Sequence, residues 1–312
     1  MVTDYAKYSN IEYVMPFLFC NDLYIPLLQE FYKDEINPVK YVYGGVNTVW
    51  SGGRNSDFIP PKMEIIKGYL GNLKKYNVTA ALTFSNYFVT KEQLNDEFCN
   101  QFLDIAYEHN CHFIVSSEKL YNHIKKMYPN AQMICSVIAP SILRAKKDFD
   151  ETEFYKKMLD KYEVVVTTPE WTLENINNLG KIISDTERLE VLVNQICQYN
   201  CPNCRKHYYF VGKLIRNEIV LGGPYKRKYL TCKRPLDYRP LEFNEQQIQT
   251  LIESGVKKLK LQGRTETFDV LYKDIYKYCI NSKYTIEEIR NKFDFISAKL
   301  IQKSKVAAVS LI

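Results

Sequence analysis

Residues 78–117 read VTAALTFSNYFVTKEQLNDEFCNQFLDIAYEHNCHFIVSS. A short apolar run at 78–84, rich in β-formers, gives way to helical periodicity over 91–108 and then to a second such run at 111–115. A strand followed by a helix and a further strand is the repeating unit of a parallel sheet covered by helices. Each run also ends on polar or small residues, Ser85 and Asn86 after the first, Ser116, Ser117 and Glu118 after the second.

The same alternation extends outward from this unit. Strands are predicted at 11–19, 39–42, 132–138, 163–167, 189–193 and 258–261, with helices at 25–32, 61–76, 120–127, 151–161, 173–179 and 244–254, and from Phe268 and Thr285 onward. Eight strands with alternating helices predict an α/β fold, a (β/α)8 TIM-like barrel with a cysteine-rich loop after strand 7. An open doubly wound sheet is the alternative, but no G-x-G-x-x-G follows the first strand. No linker or low-complexity stretch divides the chain, so residues 1–312 read as a single domain, with a metal-binding loop at 197–232 and C-terminal helices within 268–312.

In a barrel the C-terminal ends of the strands converge on one rim, where barrel enzymes carry their sites. Ser136, Thr167, Thr168, Glu170, Asn194, Gln262 and Arg264 continue the series of polar strand ends. Loops are polar in any fold, which accounts for part of that pattern.

The net charge of +6, from 42 basic and 36 acidic residues, is compatible with a polyanionic partner without requiring one. No apolar run is long enough for a membrane span, and MVTDYAKYSNIEY has no secretory pattern, so a cytoplasmic protein is expected. The nine cysteines are odd in number and five stand singly in hydrophobic segments, as reduced intracellular cysteines do.

The exception is LEVLVNQICQYNCPNCRKHYYF, residues 189–210. Cys197, Cys201 and Cys204 follow the seventh strand at C-x3-C-x2-C spacing, and Pro202 stiffens the turn between the last two. Thiols so close on one loop can converge on one metal centre, with Cys232 in LTCKRP as the nearest fourth ligand. Four thiolates suit a 4Fe-4S cluster. Zinc is the rival, since C-x2-C is a common half-site that His207 or Cys232 would complete. Unligated clustered thiols, exposed to oxidation, are the third reading. Radical S-adenosylmethionine enzymes share the spacing, but there the motif follows the first barrel strand, and an aromatic residue usually stands where this chain has Asn203.

The run LEVLVNQ-x-C-x3-C-x2-C-R-x-H-Y, followed by GVKKLKLQGR, resembles the collagenase-like peptidase family of class U. The residues that carry the resemblance are Glu190, Asn194, Cys197, Cys204, Arg205 and His207, then Gly255, Lys260, Gly263 and Arg264. It implies a barrel that often holds a 4Fe-4S cluster on four cysteines. Several members hydroxylate tRNA, rRNA or a quinone precursor with oxygen supplied by prephenate. An iron–sulfur enzyme that hydroxylates a nucleic-acid base or small aromatic substrate is therefore expected, with a zinc-binding hydrolase or a non-catalytic metal-stabilised binding protein as alternatives. Some relatives take a ligand from near the end of the first strand, which makes Cys20 the reserve for Cys232.

Arg264, His207 and Asn194 are the candidate catalytic residues. Arg264 at the last strand end suits a carboxylate or phosphate, and equally a salt bridge. His207 is expected to hydrogen-bond a cluster sulfur, with ligand and proton donor as its other readings. Trp50, Gly52, Gly53 and Arg54 form a rim loop or an anion cradle. Tyr225–Lys228, with Lys233 and Arg234, is the candidate nucleic-acid patch, against a solvated loop. A small carboxylate or a nucleic acid is the expected substrate, and His109, His112 and His123 are read as structural.

Overall fold

The computed structural model describes residues 4–52, 61–195, 197–215, 241–263 and 268–309. In chain order the strands are β1 (Glu12–Leu18), β2 (Val39–Gly44), β3 (Thr79–Phe84), β4 (His112–Val115), β5 (Met133–Cys135), β6 (Val164–Thr167), β7 (Leu189–Leu192), β8 (Asn194–Gln195), β9 (Leu241–Glu242) and β10 (Lys258–Lys260). Eight of them close into a parallel barrel in the order β1-β10-β7-β6-β5-β4-β3-β2, the predicted architecture. The short strands β8 and β9 pair antiparallel outside it.

Side chains alternate between two apolar environments. Tyr13, Met15 and Phe17 of β1, Ala80, Leu82 and Phe84 of β3, and Phe113 and Val115 of β4 belong to the large core under the helices. Val14, Tyr43, Ala81, Ile114, Ile134 and Val166 form a separate cluster, the filling of the barrel lumen. Burial on both sides is why these strands appear in the sequence as continuous apolar runs rather than as polar–apolar alternation.

The helices around the barrel are α1 (Tyr24–Phe31), α2 (Met63–Leu73), α3 (Glu97–Glu108), α4 (Glu118–Met127), α5 (Ile138–Leu143), α6 (Glu151–Leu159), α7 (Pro169–Asn175), α8 (Leu179–Ile182), α9 (Cys204–Ile215), α10 (Glu245–Glu253), α11 (Phe268–Cys279) and α12 (Ile286–Val309). Caps explain where several begin. The Asp96 carboxylate accepts from the Cys99 amide at 2.9 Å and starts α3, leaving Glu92–Asn95 as a separate 3-10 turn where the sequence predicts continuous helix. Asn244 and Gln247 form a reciprocal capping box at α10.

The first two strands are locked by a close backbone approach. Leu18 pairs with Gly44, and a Cβ built on Gly44 would lie 2.1 Å from the Leu18 carbonyl oxygen. Only glycine fits there. Gly44→Ala is expected to lower unfolding stability by roughly 2–3 kcal/mol, the cost of overpacking against an unyielding neighbour. A urea midpoint equal to that of the parent would contradict the close packing of β1 on β2.

Candidate metal centre and cavity

The thiol loop hangs from the end of β7. Beyond Val193, β8 diverts the chain into its pairing with β9, and the segment 197–203 then leads into α9. Asn200 takes the left-handed conformation, φ 47°, at the bend of this loop. The Cys204 amide donates to the Cys201 carbonyl at 3.2 Å, closing the turn that contains Pro202. Cys204 is the first residue of α9, and the His207 amide bonds the Asn203 carbonyl at 2.8 Å.

Cys197, Cys201, Cys204 and His207 line one cavity of about 120 Å³ at the C-terminal end of the barrel strands. Burial, reinforced by Cys197, Cys201 and Glu170 and opposed by Arg144, pushes the Cys204 thiol up to about 12. In the metal-free protein it therefore holds its proton at neutral pH, and a metal would have to displace that proton to bind. Among the described residues no three His, Cys, Asp or Glu side chains are grouped as a site for a metal ion. Cys197, Cys201 and Cys204 nevertheless share the lining of one cavity, and thiolate is the donor type that an iron–sulfur cluster takes.

The floor of the cavity is polar in a way the sequence reading did not anticipate. Lys260 of β10 reaches into the lumen and bonds Glu190 of β7 at 2.5 Å, with the two side chains only 7% and 3% exposed. Its ammonium lies 3.8 Å from the centroid of the Tyr43 ring, and the Tyr43 hydroxyl donates to the Leu261 carbonyl at 2.8 Å. Lys260 and Tyr43 line the cavity, whereas Glu190 stands outside its lining. The one available signal was a lysine alternating with leucines in KKLKL. On an ordinary half-buried strand that pattern sends the lysines to water; in this barrel Lys260 faces the lumen.

Thr83, Ser85 and Ser136 supply a hydroxyl wall, and of these Ser85 and Ser136 are among the predicted strand-end polar residues. The Ser116 hydroxyl donates to the Ser85 carbonyl at 2.6 Å. The Ser85 hydroxyl itself is buried and has no hydrogen-bond partner among the described residues. Gly52 brings the loop after β2 against this wall, since a Cβ on it would lie 2.3 Å from the Ser85 carbonyl oxygen. Trp50 is a core anchor for that loop, its indole donating to the Gln93 carbonyl at 2.7 Å.

Asn194 is fully buried and lies outside the cavity lining. Its amide nitrogen donates to the Gln262 carbonyl and the Asp274 carboxylate, both at 2.9 Å, and its oxygen accepts from the Gln262 amide at 2.6 Å. This is the bonding of a clamp between the ends of β7 and β10 and helix α11. Cys20 is likewise apart from the three thiols, its sulfur donating to the Pro16 carbonyl at 3.2 Å. His109 bonds the Ile105 carbonyl and His123 the Asn100 side chain, each at 2.8 Å. Burial lowers the pKa of His112 below the usual histidine range. Cys232, Arg264, Gly53, Arg54, Tyr225–Lys228, Lys233 and Arg234 lie outside the described residues.

The solved structure of the U32 peptidase Mk0906 is similar to this one with a TM-score of 0.51, over 82% of this chain and 92% of that chain, at 12% sequence identity. At that identity the likeness is one of fold, and it is the fold that the class U resemblance implies. No family model matches the sequence, and no curated protein matches it. Among the described residues no helix is long and apolar enough to cross a membrane.

The Lys260–Glu190 pair yields a prediction with opposite signs. Lys260→Met leaves a carboxylate buried without its partner and is expected to cost about 3–5 kcal/mol, whereas the double variant Lys260→Met, Glu190→Leu removes both desolvation penalties and regains most of that loss. Urea unfolding of the three proteins measures this. Additive losses in the double variant would mean that the two side chains do not form a buried pair.

Proposed function

We propose that this chain is a U32-like barrel enzyme whose Cys197, Cys201 and Cys204, with Cys232 as fourth ligand, hold a 4Fe-4S cluster, and that it hydroxylates a nucleic-acid base or a small aromatic substrate with oxygen taken from prephenate, the donor that the class U resemblance implies. The observation that carries the reading is the shared cavity, whose lining includes the three thiols, His207, Lys260 and Ser85. A ligand there would lie between the metal ligands and the barrel floor. A bound cluster supplies one-electron chemistry at that wall.

The chain's own residues account for binding. Ile114, Val166 and Leu192 give the ligand an apolar surface, while Lys260 and Ser85 offer hydrogen-bonding groups. Glu190 fixes the position of the Lys260 side chain through a direct hydrogen bond. His207 lies three residues beyond Cys204 on α9 and lines the same cavity, and in this reading it hydrogen-bonds a cluster sulfur or holds a proton beside the ligand.

Because His207 shares the cavity with the thiols, a Cys3His zinc site is the second reading, and would make the protein a zinc-dependent hydrolase. Anaerobic purification separates the two. The cluster reading expects iron and sulfide in equal amounts, with a broad visible charge-transfer absorption that Cys204→Ala abolishes; stoichiometric zinc in a colourless protein would overturn it. Hydroxylation is tested by digesting RNA from cells producing the parent protein or Cys204→Ala and comparing nucleoside masses. A nucleoside carrying one added oxygen, lost in the variant, is expected for a base substrate. Its absence, together with no oxygen transfer to small phenols, would remove the hydroxylase assignment.

A further inference from the structure

On its outer side the thiol loop faces a second cavity, of about 520 Å³, lined by Arg144, Glu170, Asn200 and the three cysteines. Arg144 follows α5, on the part of the rim opposite in sequence to the loop it meets. Its guanidinium is held on one edge by Glu151, at 2.7 Å from Nε and 2.6 Å from Nη2, and by Thr168, whose hydroxyl accepts from Nη2 at 2.7 Å. Nη1 lies 3.3 Å from the Glu170 carboxylate and donates to the Asn200 side-chain oxygen at 3.3 Å.

Glu151 is itself fixed, accepting from the buried Tyr155 hydroxyl at 2.6 Å and from the Thr168 hydroxyl at 2.5 Å. Both glutamate side chains are under one-tenth exposed. A planar fork with several partners in fixed directions cannot turn freely, and a lysine there would not reproduce it. The end of this rigid network that reaches the thiol loop is Asn200, between Cys197 and Cys201 and at the loop's left-handed bend. The neighbouring residue gives a second tether, because the Tyr199 hydroxyl donates to Glu174 of α7.

We propose that Arg144 is a positioning residue for the metal-binding loop: anchored by Glu151, Glu170 and Thr168, it holds Asn200 so that the three thiols keep their places along the cavity wall before any metal arrives. This rests on the reading of those thiols as metal ligands, and a loop held in place in advance binds metal with less ordering cost. It names a function for a largely buried charged network whose net return in stability is small, since a buried ion pair seldom repays its desolvation.

The test is made on the full chain, stripped of metal and probed by thiol alkylation with residue-by-residue mass spectrometry. Arg144→Leu and Asn200→Ala are each expected to speed alkylation of Cys197, Cys201 and Cys204 roughly tenfold, with the double variant no faster than the faster single one. Cys99, Cys135 and Cys279, buried in the core, serve as internal controls and stay protected. Arg144→Lys, which keeps the charge and loses the fork, is expected to behave like Arg144→Leu. In protein as purified, the same variants should release bound metal faster to a chelator.

Unchanged or slower alkylation of the loop thiols overturns the proposal. So does a parallel rise at Cys99, Cys135 and Cys279, which would mean that Arg144 supports the fold at large. Asn200→Ala leaves the buried glutamates with their partner and so remains informative if Arg144→Leu fails to fold. Absence of bound iron or zinc would remove the metal reading instead, and leaves the alkylation result to decide the clamp.

Discussion

A parallel barrel exists only if its last strand pairs with its first, and here that closure falls on three residues. Lys258, Leu259 and Lys260 pair with Glu12, Tyr13 and Val14 on one side and with Glu190, Val191 and Leu192 on the other. The Val193 amide to the Lys260 carbonyl, at 3.1 Å, and the Leu261 amide to the Val14 carbonyl, at 3.0 Å, extend the ladders by one bond each. Because every strand then runs in the same direction, the residues that follow them share one rim. The same register that closes the barrel pairs Lys258 with Glu190 and sets Lys260 two residues on, within reach of Glu190 and of the Tyr43 ring. Closure and site chemistry thus depend on one short strand.

The rim departs from what stability alone would select. A buried hydroxyl at Ser85 with no partner among the described residues, a desolvated lysine–glutamate pair and an arginine between two glutamates each cost folding free energy or return little of it. Lys260, Ser85 and Arg144 each share a cavity lining with the thiols, while the layer under the helices is largely apolar. Such a concentration of costly polar groups in one place is the pattern of a site held ready for a ligand.

Most of the fold was legible because eight apolar runs, buried on both faces, needed only their lengths and spacing to be recognised. Helix α5 was missed because the run from Met133 to Ile138 is continuously apolar apart from Ser136, so strand 5 was read through to Ile138, and Pro140 obscures the short helix that begins there. Helix α9 was missed because CRKHYYFVGKLI is crowded with aromatics of modest helix propensity and had been read for its thiols. The thiols themselves were visible from spacing alone. Lys260 as the cavity floor was not, because period-two alternation says which residues share a face but not that the polar face points into a lumen. Asn194 shows the converse: a polar residue at a strand end, whose burial and three hydrogen bonds are invisible without the neighbours Gln262 and Asp274.

The central claim is that Cys197, Cys201 and Cys204 bind one metal centre over the barrel cavity, and iron-edge anomalous diffraction from crystals grown without oxygen addresses it most directly. The account predicts one compact anomalous peak, several iron atoms strong, bonded to these three sulfurs on the side facing Lys260. Three reduced thiols with no anomalous density between them, in crystals of protein that contains iron, would contradict it.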